Sequence, residues 1–118
     1  MAEAATEVDA VVERYVERLR RHIRVDAAWL FGSRAGSSAD ETGDIDLAIV
    51  SRDFGRDRHA DLVLLSRCRH IEDGPMDILP FSLDEYLRLP PGSFLRTVIR
   101  SGRLVAGVSR ATATRGDG

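Results

Sequence analysis

Lysine, asparagine and glutamine are absent from this 118-residue chain, and all seventeen basic residues are arginine. That skew matches GC-rich coding, so the arginine count is not a nucleic-acid footprint. The formal net charge of −2 likewise predicts no direct nucleic-acid binding. A single cysteine, Cys68, excludes an internal disulfide and suits a reducing cytoplasm. It reads as a small buried apolar residue rather than a reactive thiol. No apolar run approaches the roughly 20 residues that span a membrane. The start, Met1-Ala2-Glu3-Ala4, is acidic and lacks the apolar stretch of a signal peptide, so a cytoplasmic protein is expected. His22, His59 and His70 lack metal-ligand spacing to one another and read as helix-surface residues.

What is present alternates between helical and strand-like patterns. Val8, Val11, Val12, Tyr15, Val16, Leu19 and Ile23 recur at helical spacing, predicting an amphipathic helix from about Glu7 to Arg24 with Thr6 as its N-cap. Arg20, Arg21 and Arg24 sit at its C-terminal end, where cations complement the dipole. Asp26–Phe31 and Asp44–Val50 read as strands. Arg56–His70 reads as a helix with Ala60, Val63, Leu64 and Arg67 on one side. Gly74-Pro75 turns into a third strand, Met76–Phe81. Ser82, with Glu85 three residues on, forms a capping box that opens a short helix. Pro90-Pro91-Gly92 ends it. Ser93–Arg100 reads as a last helix closed by Gly102, with an apolar surface available to a partner. Arg103–Ala106 adds a short edge strand, and Ser109–Gly118 reads as a disordered tail. The expected organisation is one α/β domain over residues 1–108, a small mixed sheet flanked by helices, followed by that tail.

Chemistry concentrates in two adjacent segments. Trp29-Leu30-Phe31-Gly32-Ser33-Arg34 reads as a strand, then a Gly-Ser turn opening a short helix. Free N–H groups and the helix dipole at such a start favour an anion. Ten residues separate Ser33 from Asp44-Ile45-Asp46, whose two carboxylates alternate onto one face of a strand. Together they offer oxygen ligands to a hard cation such as Mg²⁺. Alone, a Gly-Ser pair is usually a turn, and Asp-x-Asp usually a solvated strand end. Here Asp46 lies within Ile45–Val50, a run that reads as buried on both faces, where uncompensated charge is costly. Phosphate turn plus cation clamp makes a nucleoside-triphosphate site. Trp29 and Phe31 flank the turn and read as core packing rather than base-stacking residues. The loop Gly36–Gly43 is rich in Gly and Ser and is expected to be mobile until nucleotide binds.

Leu30-Phe31-Gly32-Ser33-Arg34 and Asp44-Ile45-Asp46-Leu47 resemble the signature of the minimal nucleotidyltransferases of the DNA polymerase β-like superfamily. The resemblance covers about Val8 to Val105. It implies the polymerase β-like fold and a third carboxylate on a later strand, for which Asp77 is the match, with Asp84 next in line. A strand-start Asp paired with an arginine is the structural alternative for Asp77. The resemblance further implies Asp44, Asp46 and Asp77 as catalytic residues and ligands of two Mg²⁺ ions, with Gly32, Ser33 and Arg34 on the triphosphate of ATP. Gly36 and Gly43 depart from it, standing where many members carry a second Arg and a Ser. Small-molecule members usually add a helical acceptor domain, and members of this size are typically antitoxins of HEPN/MNT modules. In such modules AMP is transferred to a tyrosine of the HEPN-type toxin. Neutralisation by binding alone, and small-molecule transfer completed by another subunit, are the alternative readings.

Overall fold

The computed structural model describes residues 3–32 and 44–108, with side chains from Glu7 onward. Ser33, Arg34, the Gly36–Gly43 loop and the Ser109–Gly118 tail lie outside the described residues. The apolar stripe of the first helix, α1 (Glu3–Arg20), is buried as its period requires: Val8, Val12, Tyr15, Val16 and Leu19 are all in the core. The helix starts earlier than expected, so Thr6 lies within it rather than capping it, and it stops short of Ile23.

Among the described residues four strands follow the expected alternation: β1 (Ala27–Phe31), β2 (Ile45–Ser51), β3 (Met76–Ser82) and β4 (Arg103–Gly107). Their order is β3-β2-β1-β4. β1 runs antiparallel to both β2 and β4, while β2 and β3 are parallel. The sheet is therefore mixed, and β4 is an edge strand as expected.

Alternation splits each strand between two apolar layers. Ala28, Leu30, Ile45, Leu47 and Ile49 pack with α1 and with Leu65 of α2 (Arg58–Arg67). Ala27, Ala48 and Val50 face Tyr86 of α3 (Leu83–Arg88) and Leu95 and Val98 of α4 (Phe94–Ser101). Fully burying a residue such as Leu47 contributes roughly 1.5–3 kcal/mol.

Local sequence explains most boundaries. Asp57 caps α2, accepting from the Ala60 amide at 3.1 Å, so the helix runs Arg58–Arg67 rather than the expected Arg56–His70. The inward face of α2 differs in part from expectation: Leu65 is buried and Leu64 packs partly buried beside it, whereas Ala60, Val63 and Arg67 are exposed. Apolar residues surround most of this helix, so their spacing does not select a face. Ser82 caps α3 as read, accepting from Glu85 N at 3.1 Å. Gly102 closes α4, but for a different reason than a left-handed cap. Its φ is −104°, and a Cβ there would come within 2.5 Å of Leu30 O and 2.6 Å of Val98 O. The apolar side of α4 is turned inward through Leu95 and Val98, which removes most of the anticipated partner surface and leaves only Phe94 half in solvent.

A 3-10 turn, Ile71–Asp73, tucks Asp73 beneath α1. There the carboxylate pairs with Arg18 and accepts from His70 N at 2.9 Å. Arg18 Nε also donates to Cys68 O at 2.8 Å, and Tyr15 OH donates to Leu65 O at 2.6 Å. Cys68 is buried beside this network, and burial raises its thiol pKa, so it packs rather than reacts.

Candidate active site

One end of the sheet gathers the acidic residues. β1 ends there, and β2 and β3 begin there, because β1 is antiparallel to a parallel pair. The register aligns Phe31 with Asp46 and Asp46 with Asp77, so three adjacent strands present these side chains on one face. Neighbouring strands lie about 4.8 Å apart, which sets the spacing of the two backbones carrying Asp46 and Asp77. It is the face covered farther along by α3 and α4. Asp44 lies one residue before β2 rather than inside it, where it is exposed. Ile45 N donates to Pro75 O at 3.2 Å and ties the beginnings of β2 and β3 together.

Gly32 is built into this arrangement. It follows β1 with φ of +78°, the left-handed region that favours glycine. A Cβ here would overlap Asp46 Oδ2 and lie 3.1 Å from Asp46 Cγ. The chain therefore turns directly against the Asp46 carboxylate, and the left-handed φ together with this close approach favours glycine. Any other residue at position 32 would displace Asp46.

The electrostatics are those of crowded like charges. Burial, then the neighbouring charges of Asp77 and Asp44, push the Asp46 carboxyl above the usual carboxylate range. Among the described residues no cation pairs with Asp46. Nor do three His, Cys, Asp or Glu side chains among them stand as a preformed metal cluster. Oxygen donors in mutual repulsion at a half-buried position suit a hard divalent cation, which would bring them together and relieve that repulsion. The donor set fits Mg²⁺.

Other anticipated residues sort clearly. Asp77 is exposed at the start of β3, beside Asp46, and no arginine pairs with it among the described residues. Asp84 lies beyond the other end of β3 and pairs with Arg88 at 2.9 Å. Five steps along β3, roughly 16 Å at 3.3 Å each, separate Asp77 from Ser82 at that end, so Asp84 is no substitute for it. Trp29 is a packing residue: its indole N–H donates to Tyr86 OH at 3.0 Å. An open groove of about 450 Å³ adjoins Asp44, lined by Arg69, Ile71, Gly74, Pro75 and Met76. Arg69 escaped the sequence reading because nothing in its local pattern ties it to the acidic strand ends.

A mixed sheet with this topology and an acidic centre where β1 meets β2 and β3 defines a nucleotidyltransferase fold. Residues 13–111 match the polymerase beta nucleotidyltransferase family, and the chain belongs to it. No curated protein matches by sequence. Among solved structures, a protein of Sulfolobus solfataricus provisionally assigned as a nucleotidyltransferase superposes with a TM-score of 0.65 at 19% identity, covering 86% of this chain and 82% of that one. A mutant of the toxin–antitoxin pair MntA–HpeT superposes at 0.59 and 20% identity, covering 86% and 77%. A toxin–antitoxin structure with AMP-PNP gives 0.60 at 22% identity with the same coverage. These likenesses establish the fold. Among the described residues no helix is long and apolar enough to cross a membrane.

Proposed function

We propose that the chain transfers AMP from ATP to a hydroxyl of a protein partner, as the antitoxin of a HEPN/MNT toxin–antitoxin pair in the cytoplasm. The observation that carries the transfer chemistry is Asp46, pressed against Gly32 and flanked by Asp77 and Asp44 with no described cation to neutralise it. The toxin–antitoxin neighbours, one of them with AMP-PNP, support the choice of donor and partner.

In this reading the Gly32 backbone, with Ser33 and Arg34, receives the triphosphate. Asp44, Asp46 and Asp77 hold two Mg²⁺ ions, which when bound supply charge neutralisation and a lower pKa for the attacking hydroxyl. The acceptor oxygen bonds to the α-phosphorus as the bond to the bridging oxygen of the β-phosphate breaks, and pyrophosphate leaves. Asp77 takes the hydroxyl proton as general base. Attacking and leaving oxygens lie roughly in line. With the phosphates on the β1 side, the acceptor enters from the β3 side, where the groove beside Asp44 and Arg69 offers room.

Mixing the chain with its partner, Mg²⁺ and ATP should add AMP to the partner, read by mass spectrometry. The Asp44→Asn/Asp46→Asn double variant should add none and should fail to protect cells from the toxin. Full protection by that variant would establish neutralisation by binding alone. AMP transfer to a small molecule but not to the partner would establish the third reading.

A further inference from the structure

We propose that Phe94 is the stacking platform for the base of the donor nucleotide, held in place by Phe31; this rests on the nucleotide-transfer reading above. Phe94 opens α4 and is 48% exposed, whereas Leu95 and Val98 of the same helix are fully buried. A large aromatic left half in water beside a polar site is a ready surface for a flat ligand. Its position is fixed rather than incidental. The Phe94 and Phe31 rings meet edge-to-face, centroids 5.8 Å apart and planes at 73°. Phe31 in turn is the register partner of Asp46 and immediately precedes Gly32. The exposed ring is thus one side chain removed from both the phosphate turn and the central carboxylate, and on the same face of the sheet.

The donor base fits this place better than the acceptor. α4 packs against β1, so Phe94 stands on the phosphate side of Asp46. Asp77, which the acceptor hydroxyl must reach, stands on β3 at the opposite side. An edge-to-face pair uses one ring's edge against the other's face, so ring surface remains on Phe94 for a second aromatic. Stacking reads the π-surface rather than the hydrogen-bonding edge of a base, so the platform contributes affinity more than base selectivity.

Calorimetry in Mg²⁺ with ATP and with inorganic tripolyphosphate, which has no base, tests the assignment. Phe94→Ala should weaken ATP binding about tenfold or more, the usual worth of one base–aromatic stack, and change tripolyphosphate binding less than twofold. Phe94→Leu, which keeps apolar bulk over Phe31, should show the same selective loss, and Phe94→Trp should bind ATP at least as tightly as wild type. Equal weakening of both ligands in Phe94→Leu would mean a structural role only, and unchanged ATP affinity would overturn the assignment. A rise in acceptor KM with ATP affinity intact would place the acceptor there instead, which also overturns it. Wild-type protein that binds neither ligand would sink the nucleotide-transfer reading itself, a result distinct from any of these.

Discussion

Asp73 and Asp46 are both carboxylates drawn in from solvent, and the fold treats them in opposite ways. Asp73 is almost wholly buried, yet Arg18 faces it and the His70 amide donates to it. Asp46 is only half-buried, yet its neighbours are two more carboxylates and a glycine that brings backbone against it. A buried charge needs a partner, since leaving it unpaired is strongly destabilising. The chain supplies that partner at Asp73 and, among the described residues, withholds it at Asp46. The first arrangement holds the 3-10 turn to α1; the second leaves repelling carboxylates whose chemistry suits a divalent cation.

The comparison breaks most sharply on the central acids. Asp44→Asn/Asp46→Asn should lower nucleotide transfer by about a thousandfold or more, on the order of 4 kcal/mol in transition-state stabilisation. Metal-dependent ATP binding should disappear with it, while the unfolding midpoint stays the same or rises because like charges are removed. Titration calorimetry beside urea unfolding separates the two readouts. ATP binding with equal affinity in chelator and in Mg²⁺ would contradict the assignment of these acids.

The mirror experiment lies at Asp73. Asp73→Asn strands the Arg18 guanidinium, which is mostly shielded, and should cost about 3 kcal/mol in stability. Transfer activity per folded molecule should be unchanged. Urea denaturation combined with single-turnover kinetics reads both quantities. An activity loss without a stability loss would reverse the roles assigned to the two acids.

Asp77 tests the finer division within the acidic centre. Asp77→Asn should slow transfer by about 100-fold or more, as loss of a general base does, while ATP affinity changes only a few-fold. That split is the signature of an interaction made chiefly in the transition state. Near wild-type turnover in this variant would leave the proton to another acceptor, and Asp84, paired with Arg88 beyond the far end of β3, is not placed to serve.

The acidic centre was legible in the sequence because its parts are local. Gly32 follows one apolar run, Asp46 interrupts another, and Asp77 is the only acid embedded in a later one. The stripe of α1 was legible for the same reason, its period being unambiguous over Val8 to Leu19. The Arg18–Asp73 pair was not, since 55 residues separate its members and neither lies in a distinctive pattern. The inward face of α2 was hidden by apolar residues on most sides of the helix, which leave burial to tertiary packing. Phe94 was hidden because helical spacing groups it with Leu95 and Val98, and only the sheet decides which ring stays in water. Pattern fixes which residues are apolar along a helix; which of them stays in water depends on how the helix docks on the sheet.

The smallest effect concerns the pH dependence of stability. The folded chain holds the Asp46 proton above the ordinary value of 3.8, whereas the unfolded chain releases it there. Between those two points the folded state carries more protons than the unfolded state, so stability falls as pH rises through the window and levels off beyond the raised folded value. Partial exposure screens the interaction, so the fall should stay below about 1 kcal/mol. Asp46→Asn should flatten that part of the curve. Saturating Mg²⁺ should do more: a ligand that binds only the folded state adds stability by mass action, and a cation held by these carboxylates makes the addition grow as they ionise. Stability would then rise, not fall, with pH over the same window. Urea unfolding from pH 4 to 7, with and without Mg²⁺, resolves the sign, and an identical slope in wild type and Asp46→Asn would show that Asp46 is not the group responsible. At Asp73 the compensating charge is part of the chain, and Mg²⁺ should not change the cost of Asp73→Asn.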